Sequence, residues 1–180
     1  MLFRSHARFA VNLHAADPSE TGRDRIEFVF SANPGLALQP IQQSASGGEL
    51  SRLMLALEVV LVGDGAVDTP NVLVFDEVDA GVAGSAATSV AERLAKLAHS
   101  RQVLVVSHLA QIAAYADQQL VVSKDSDGYV TQRSVQSVAA NERIVEIARM
   151  LAGLEDSVSA QKHAAELLAH AKRSKEKLHG

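Results

Sequence analysis

The chain reads as an α/β domain: a mostly parallel sheet flanked by helices, with an antiparallel β segment at the N-terminus and helices at the C-terminus. Three observations predict this. Residues 72–75 (Val-Leu-Val-Phe) and 103–106 (Val-Leu-Val-Val) are continuous apolar runs, the pattern of central parallel strands covered on both faces. Between them, residues 84–98 are Ala-rich and carry Val90, Leu94 and Leu97 on one helical face, so strand, helix and strand make a right-handed parallel crossover. Ahead of them, residues 9–13 and 26–30 alternate in the manner of a paired, half-covered sheet.

The elements follow in order. Residues 1–40 form a β-rich segment, with a polar turn over 17–22 and a loop at Asn33-Pro34-Gly35 ending the second strand. Residues 41–135 form the core. A loop there feeds a helix over 48–62, for which Ser46 is the N-cap and Glu49, three residues on, completes a capping box. This helix is apolar nearly all round from Leu53, which predicts burial on most sides, and it stops at Gly63-Asp64-Gly65. After the crossover come a short helix over 109–116, a strand over 119–123, a hairpin turn at Asp125-Ser126-Asp127-Gly128 and a strand over 129–134. Residues 141–180 are helical: Asn141 is the expected cap of a helix to Leu151, ended by Gly153, and an amphipathic helix runs over 157–178.

Composition narrows the function classes. The 180 residues are 47% hydrophobic and 21% charged, as in ordinary globular domains with a core. There is no cysteine, which excludes disulfides and thiolate chemistry. The longest apolar stretch, 53–62, is broken by Glu58 and too short to span a membrane. The first eight residues lack the apolar core of a signal peptide. A cytoplasmic protein without a membrane partner is therefore expected. A net charge of −4 argues against the whole chain as an electrostatic nucleic-acid binder.

Four short constellations carry the chemistry. Asp76-Glu77 follow a buried strand directly, and carboxylates at the C-terminal edge of a parallel strand face the crevice where α/β sheets bind ligands. In a nucleotide hydrolase the first holds Mg2+ and the second orients the attacking water; the bland alternative is a solvated strand exit. Ser46-Gly47-Gly48-Glu49 opens a helix whose free N–H groups suit phosphate, with two glycines that admit close backbone approach; the alternative is a capped helix after a hinge. His108 closes the second buried strand and is placed to meet a γ-phosphate, against a default structural role. Asp79, in the turn after the acids, belongs either to a subunit interface or to a cap for the following helix. The C-terminal helix carries Lys162, Lys172, Arg173, Lys175 and Lys177 against Glu166 and Glu176; such a cluster contacts DNA phosphates or is simply a solvated face.

The order and spacing of these pieces resemble the signature motif, Walker B strand, D-loop and switch histidine of ABC/SMC ATPases. The resemblance is closer still to the RecN family of bacterial SMC-like proteins of DNA double-strand-break repair. It is carried by Phe28-Val29-Phe30-Ser31-Ala32-Asn33-Pro34-Gly35, by Ala45-Ser46-Gly47-Gly48-Glu49-Leu50-Ser51-Arg52, by Phe75-Asp76-Glu77-Val78-Asp79-Ala80-Gly81-Val82, by the stretch from Ser107-His108 to Tyr115-Ala116-Asp117, and by Glu146-Ile147-Ala148-Arg149-Met150-Leu151-Ala152-Gly153. The resemblance implies the C-terminal lobe of an ABC-type head acting in repair and recombination, with ATP and Mg2+ as cofactors. It implies Asp76 at the metal, Glu77 as catalytic base and His108 as the switch. Ser46, Gly47, Gly48 and Glu49 would close on ATP held by a partner head, with Asp79 at the head–head interface. Implied partners are an N-terminal lobe carrying the P-loop, a second head, and DNA through the longer protein, in a cytoplasmic, nucleoid-associated setting.

No lysine in the chain is preceded by glycine, so the P-loop pattern Gly-x-x-x-x-Gly-Lys-Ser/Thr is not in it. The chain therefore reads as a fragment or one half of a split pair, inactive as an ATPase alone. Two alternatives stay open: half of an ABC ATPase from another branch, RecF-like or transporter, and a module that only dimerises.

Overall fold

The computed structural model describes residues 7–20, 22–32, 35–44, 46–63, 71–126, 131–153 and 157–178. Two antiparallel strands, β1 (Arg8–Ser19) and β2 (Gly22–Ser31), are followed by the short β3 (Gln39–Pro40), which adds to β2. β1 runs further than expected, through Pro18, with a register irregularity between Ala15 and Ser19. A proline is accommodated there because β1 is an edge strand. Next come a single turn of helix, α1 (Ile41–Ser44), and the long α2 (Gly47–Gly63). The central unit is β4 (Val72–Phe75), α3 (Ser85–Ala98) and β5 (Gln102–Val105), and β4 and β5 pair in parallel from Val72↔Gln102 to Phe75↔Val105.

The chain continues through α4 (Ala110–Ala113), the antiparallel pair β6 (Gln119–Ser126) and β7 (Thr131–Val138), and the helices α5 (Ala140–Ala152) and α6 (Val158–Leu178). The expected turn at 127–128 and the segment 64–65 lie outside the described residues. Asn141 is not the cap of α5: the N-cap position is Ala139, and Asn141 sits inside the first turn. Gly153 ends α5 as expected, in the left-handed conformation at φ 68° with its N–H donating to the Arg149 carbonyl at 2.7 Å.

The core lies between the buried face of β4–β5 and the helices. Leu73, Phe75, Val78 and Leu55 of α2 meet Val90, Leu94 and Leu97 of α3, the three side chains predicted for its inner face. A second cluster joins Ala110, Ile147, Ala148, Ala160 and Ala164, where small residues let α4, α5 and α6 approach closely. Arg143 of α5 ties this corner together. Its Nη2 donates to the carbonyls of Ala113, Ala114 and Ala116 at 3.0, 3.2 and 2.7 Å, at the end of α4 where carbonyls lack the full set of helical partners. Burial in this position holds its pKa below the ordinary arginine value.

Burial within this chain is one-sided in two places. The parallel strands are covered on one face only, for Val74 and Val106 are 66% and 63% exposed. Among the described residues the parallel component is this single pair of strands. Likewise α2 buries Leu55 and leaves Met54, Val60 and Leu61 exposed. Both segments carry apolar side chains for a layer that the described residues do not supply. No helix among the described residues is long and apolar enough to cross a membrane.

Candidate nucleotide site

Because β4 and β5 run parallel and in register, their exits lie side by side. Asp76 follows Phe75, and the ladder continues one step with the Val106 N–H donating to the Phe75 carbonyl at 2.9 Å. Ser107 and His108 come next. The acid turn and the histidine thus share one edge, which is where a parallel sheet presents ligand-binding groups.

The start of α2 is brought to the same place. Ser46 and Glu49 form the reciprocal capping box: the Glu49 N–H donates to Ser46 Oγ at 3.4 Å, and the Ser46 N–H donates to Glu49 Oε2 at 3.2 Å. The Ser46 hydroxyl also lies 3.2 Å from Glu49 Oε2. One turn further, the helix grips the acid turn. Ser51 Oγ donates to the Asp76 carbonyl at 2.7 Å, and Arg52 Nη1 donates to the carbonyls of Val78 and Ala80 at 3.3 and 2.6 Å.

The glycines permit this approach. A Cβ on Gly48 would stand 2.6 Å from Ala80 Cβ and 3.0 Å from the Glu77 carbonyl, and one on Gly47 would stand 2.7 Å from Glu77 Oε2. Helix start and acid turn therefore touch within one chain, although the sequence reading assigned them to different nucleotides. Ser51 and Arg52 entered that reading through the resemblance alone, without a role in the site. They follow Gly47 and Gly48 by four residues, so they lie on the same helix face, and that spacing is the signal that reveals them.

Asp76 and Glu77 are exposed. Asp76 Oδ1 accepts the Glu77 N–H at 2.9 Å. Glu77 adopts φ 55°, a region that non-glycine residues rarely occupy and that concentrates at functional sites. Asp79 is the opposite case. At 3% exposure its carboxylate turns inward, and Oδ2 accepts from Ser107 Oγ at 2.6 Å and the His108 N–H at 3.0 Å, with His108 Nδ1 also 3.0 Å away. It does not cap α3, whose N-cap is Gly84. The His108 side chain stays 76% exposed.

No cluster of three or more metal-ligating side chains occurs among the described residues. A Mg2+ that arrives with nucleotide does not need one, since it keeps several waters and takes one or two carboxylates plus phosphate oxygens. An exposed Asp76 at the strand end fits that donor set. On the C-terminal helix, Lys175 is engaged within the chain. Its Nζ donates to the Tyr115 carbonyl at 3.2 Å and pairs closely with Asp117.

Compared with known proteins, the chain is 52% identical over 152 residues to the DNA repair protein RecN of Streptomyces coelicolor. It is also 52% identical to RecN of Mycobacterium leprae over 154 residues and of Deinococcus radiodurans over 165. These alignments cover 84%, 86% and 91% of the chain. The chain belongs to the RecN family. It spans only 26%, 25% and 28% of those three RecN proteins. No protein-family model matches it. Among solved structures, an SMC ATPase studied for ATP-driven dimerization and DNA-stimulated activation superposes with a TM-score of 0.45 at 19% identity, over 74% of this chain and 76% of its own. An SMC head bound to the C-winged helix domain of ScpA gives 0.47 at 22%, over 72% and 38%. Both superpositions are loose, and membership of RecN rests on the sequence relatives.

Proposed function

We propose that this chain is the C-terminal lobe of an ABC-type RecN head, serving ATP-driven head engagement in bacterial DNA double-strand-break repair and recombination. One observation carries the reading: the helix start at Ser46–Gly48, the acid pair Asp76-Glu77 and His108 converge on one edge of the β4–β5 pair in a chain about 52% identical to RecN proteins. In this reading the ATP and Mg2+ come to a head completed by a P-loop lobe, and a second head closes the sandwich. Bound Mg2+ would neutralise developing phosphate charge. This chain's own residues do the rest. Asp76 offers a carboxylate to the metal. Glu77 orients and deprotonates the attacking water. His108 meets the terminal phosphate. Ser46 and the first amides of α2 meet the phosphate of ATP on the partner head, with Glu49 holding the Ser46 hydroxyl until then. Such a protein belongs in the cytoplasm, on the nucleoid, and contacts DNA through the longer chain.

The test is Glu77→Gln in the full-length protein. Removing a catalytic base costs on the order of 10²–10⁴-fold in rate, so hydrolysis should stop while ATP-bound dimers accumulate. Hydrolysis at the normal rate would remove Glu77 from the role of base.

A further inference from the structure

Asp79 stands out once the acids beside it are accounted for. A buried carboxylate needs compensating donors, and those found here all come from the exit of β5. Ser107 Oγ, the His108 N–H and His108 Nδ1 surround a single oxygen, Oδ2, at 2.6, 3.0 and 3.0 Å. Ser107 is itself fixed from the other side, because its Oγ accepts the Leu109 N–H at 3.1 Å. The consequences fall on His108. Its main chain and its ring are tied to the same oxygen, so an imidazole that is 76% exposed is nevertheless held at two points. A ring nitrogen facing a carboxylate carries its hydrogen, and this sets the tautomer and the aim of the other nitrogen.

We propose that Asp79 and Ser107 are positioning residues for His108, holding Nδ1–H inward so that Nε2 faces the nucleotide. The proposal rests on the role given to His108 above. It moves Asp79 from a contact across a head–head interface to an anchor within the head. It also links the acid turn to the histidine through one side chain, since Asp79 lies two residues after Glu77.

The experiment measures steady-state ATP turnover by the full-length protein in five forms: wild type, Ser107→Ala, Ser107→Thr, His108→Ala and the double variant S107A/H108A. A misaimed catalytic group costs about 10-fold to 100-fold. Ser107→Ala should therefore lower kcat by roughly tenfold or more, with KM for ATP little changed. Ser107→Thr keeps the hydroxyl and should restore kcat. The double variant should be no slower than His108→Ala alone. If Ser107→Ala turns over like wild type while His108→Ala does not, positioning is refuted and the histidine's role stands. Failure of Ser107→Thr to rescue, or a further loss in the double variant, refutes it equally. Full activity in His108→Ala instead refutes the reading on which the proposal rests. Asp79→Asn, followed with a melting curve, supplies an independent arm: a folded variant with unaltered kcat overturns the part given to Asp79.

Discussion

Two adjacent glycines show how much a single hydrogen atom decides. At Gly48 a methyl group would press on Ala80 Cβ at 2.6 Å and on the backbone carbonyls of Glu77 and Ala80 at 3.0 and 3.1 Å. None of these is a mobile side-chain end. Gly48→Ala must shift α2 or the acid turn, and overpacking of this kind costs about 1–3 kcal/mol. At Gly47 the obstacle is Glu77 Oε2 at 2.7 Å, the end of an exposed side chain that swings away. Gly47→Ala should then unfold near the wild-type denaturant midpoint but, on the proposed function, lose ATP turnover in the full-length protein, because Glu77 is displaced. Urea titrations of both variants separate the cases. A larger loss of stability at Gly47 than at Gly48 would contradict this account of the contact. The glycines were legible in the sequence as a place of close approach, but the sequence pointed that approach at phosphate. What fills it in the structure is the chain's own acid turn, and no local pattern announces a partner some thirty residues away.

At the level of elements, legibility followed the range of the forces involved. The capping box of Ser46 and Glu49 and the C-terminal Gly153 were readable because their partners lie within four residues. The inner face of α3 was readable from its spacing. The cap of α5 was misread: Asn141 is a good cap in isolation, but α5 begins at Ala140, where Arg143 is carried to the end of α4. The docking of α6 was not readable at all. It uses Ser174 Oγ donating to Glu92 Oε1 at 2.9 Å and the Lys175 Nζ contact with the Tyr115 carbonyl, which tie α6 to α3 and to the turn after α4. Tyr115 reports on this junction. Burial raises its pKa above the ordinary 10.0, opposed by the hydroxyl of Ser174 and reinforced by the charge and hydrogen bond of Glu92. A raised value means that the fold favours the neutral phenol. Its contribution is whole below pH 10.0 and is lost as the pH climbs through the raised value. Melting temperature should therefore fall more steeply as the pH rises above about 10 in the wild type than in Tyr115→Phe. Parallel curves would show that the phenol does not feel the junction.

For the molecule as a whole, the informative side chains are apolar ones in the wrong place. The uncovered face of β4–β5 shows Val72, Val74, Leu104 and Val106 at 47%, 66%, 47% and 63% exposure. The β1–β2 pair adds a second such face. Val11↔Phe28 and Leu13↔Ile26 are cross-strand partners, so all four side chains stand together, and each is at least half exposed. Scattered exposed residues are ordinary, but contiguous apolar faces mark surfaces that meet something. The runs at 72–75 and 103–106 already demanded cover on both sides, and the chain spans about a quarter of its RecN relatives. On the proposed function, the cover for β4–β5 is the P-loop lobe. This can be checked by one substitution made in two contexts. In the 180-residue chain, Val74→Asp replaces a side chain that water already reaches, and such changes usually stay within about 0.5 kcal/mol. In the full-length protein the same carboxylate would be trapped without a partner between sheet and lobe, at a cost of several kcal/mol. Urea unfolding of both proteins, each with and without the substitution, should show a small shift in the first and a large one in the second. Equal shifts would mean that the longer protein leaves this face as open as it is here, and that the P-loop lobe docks elsewhere.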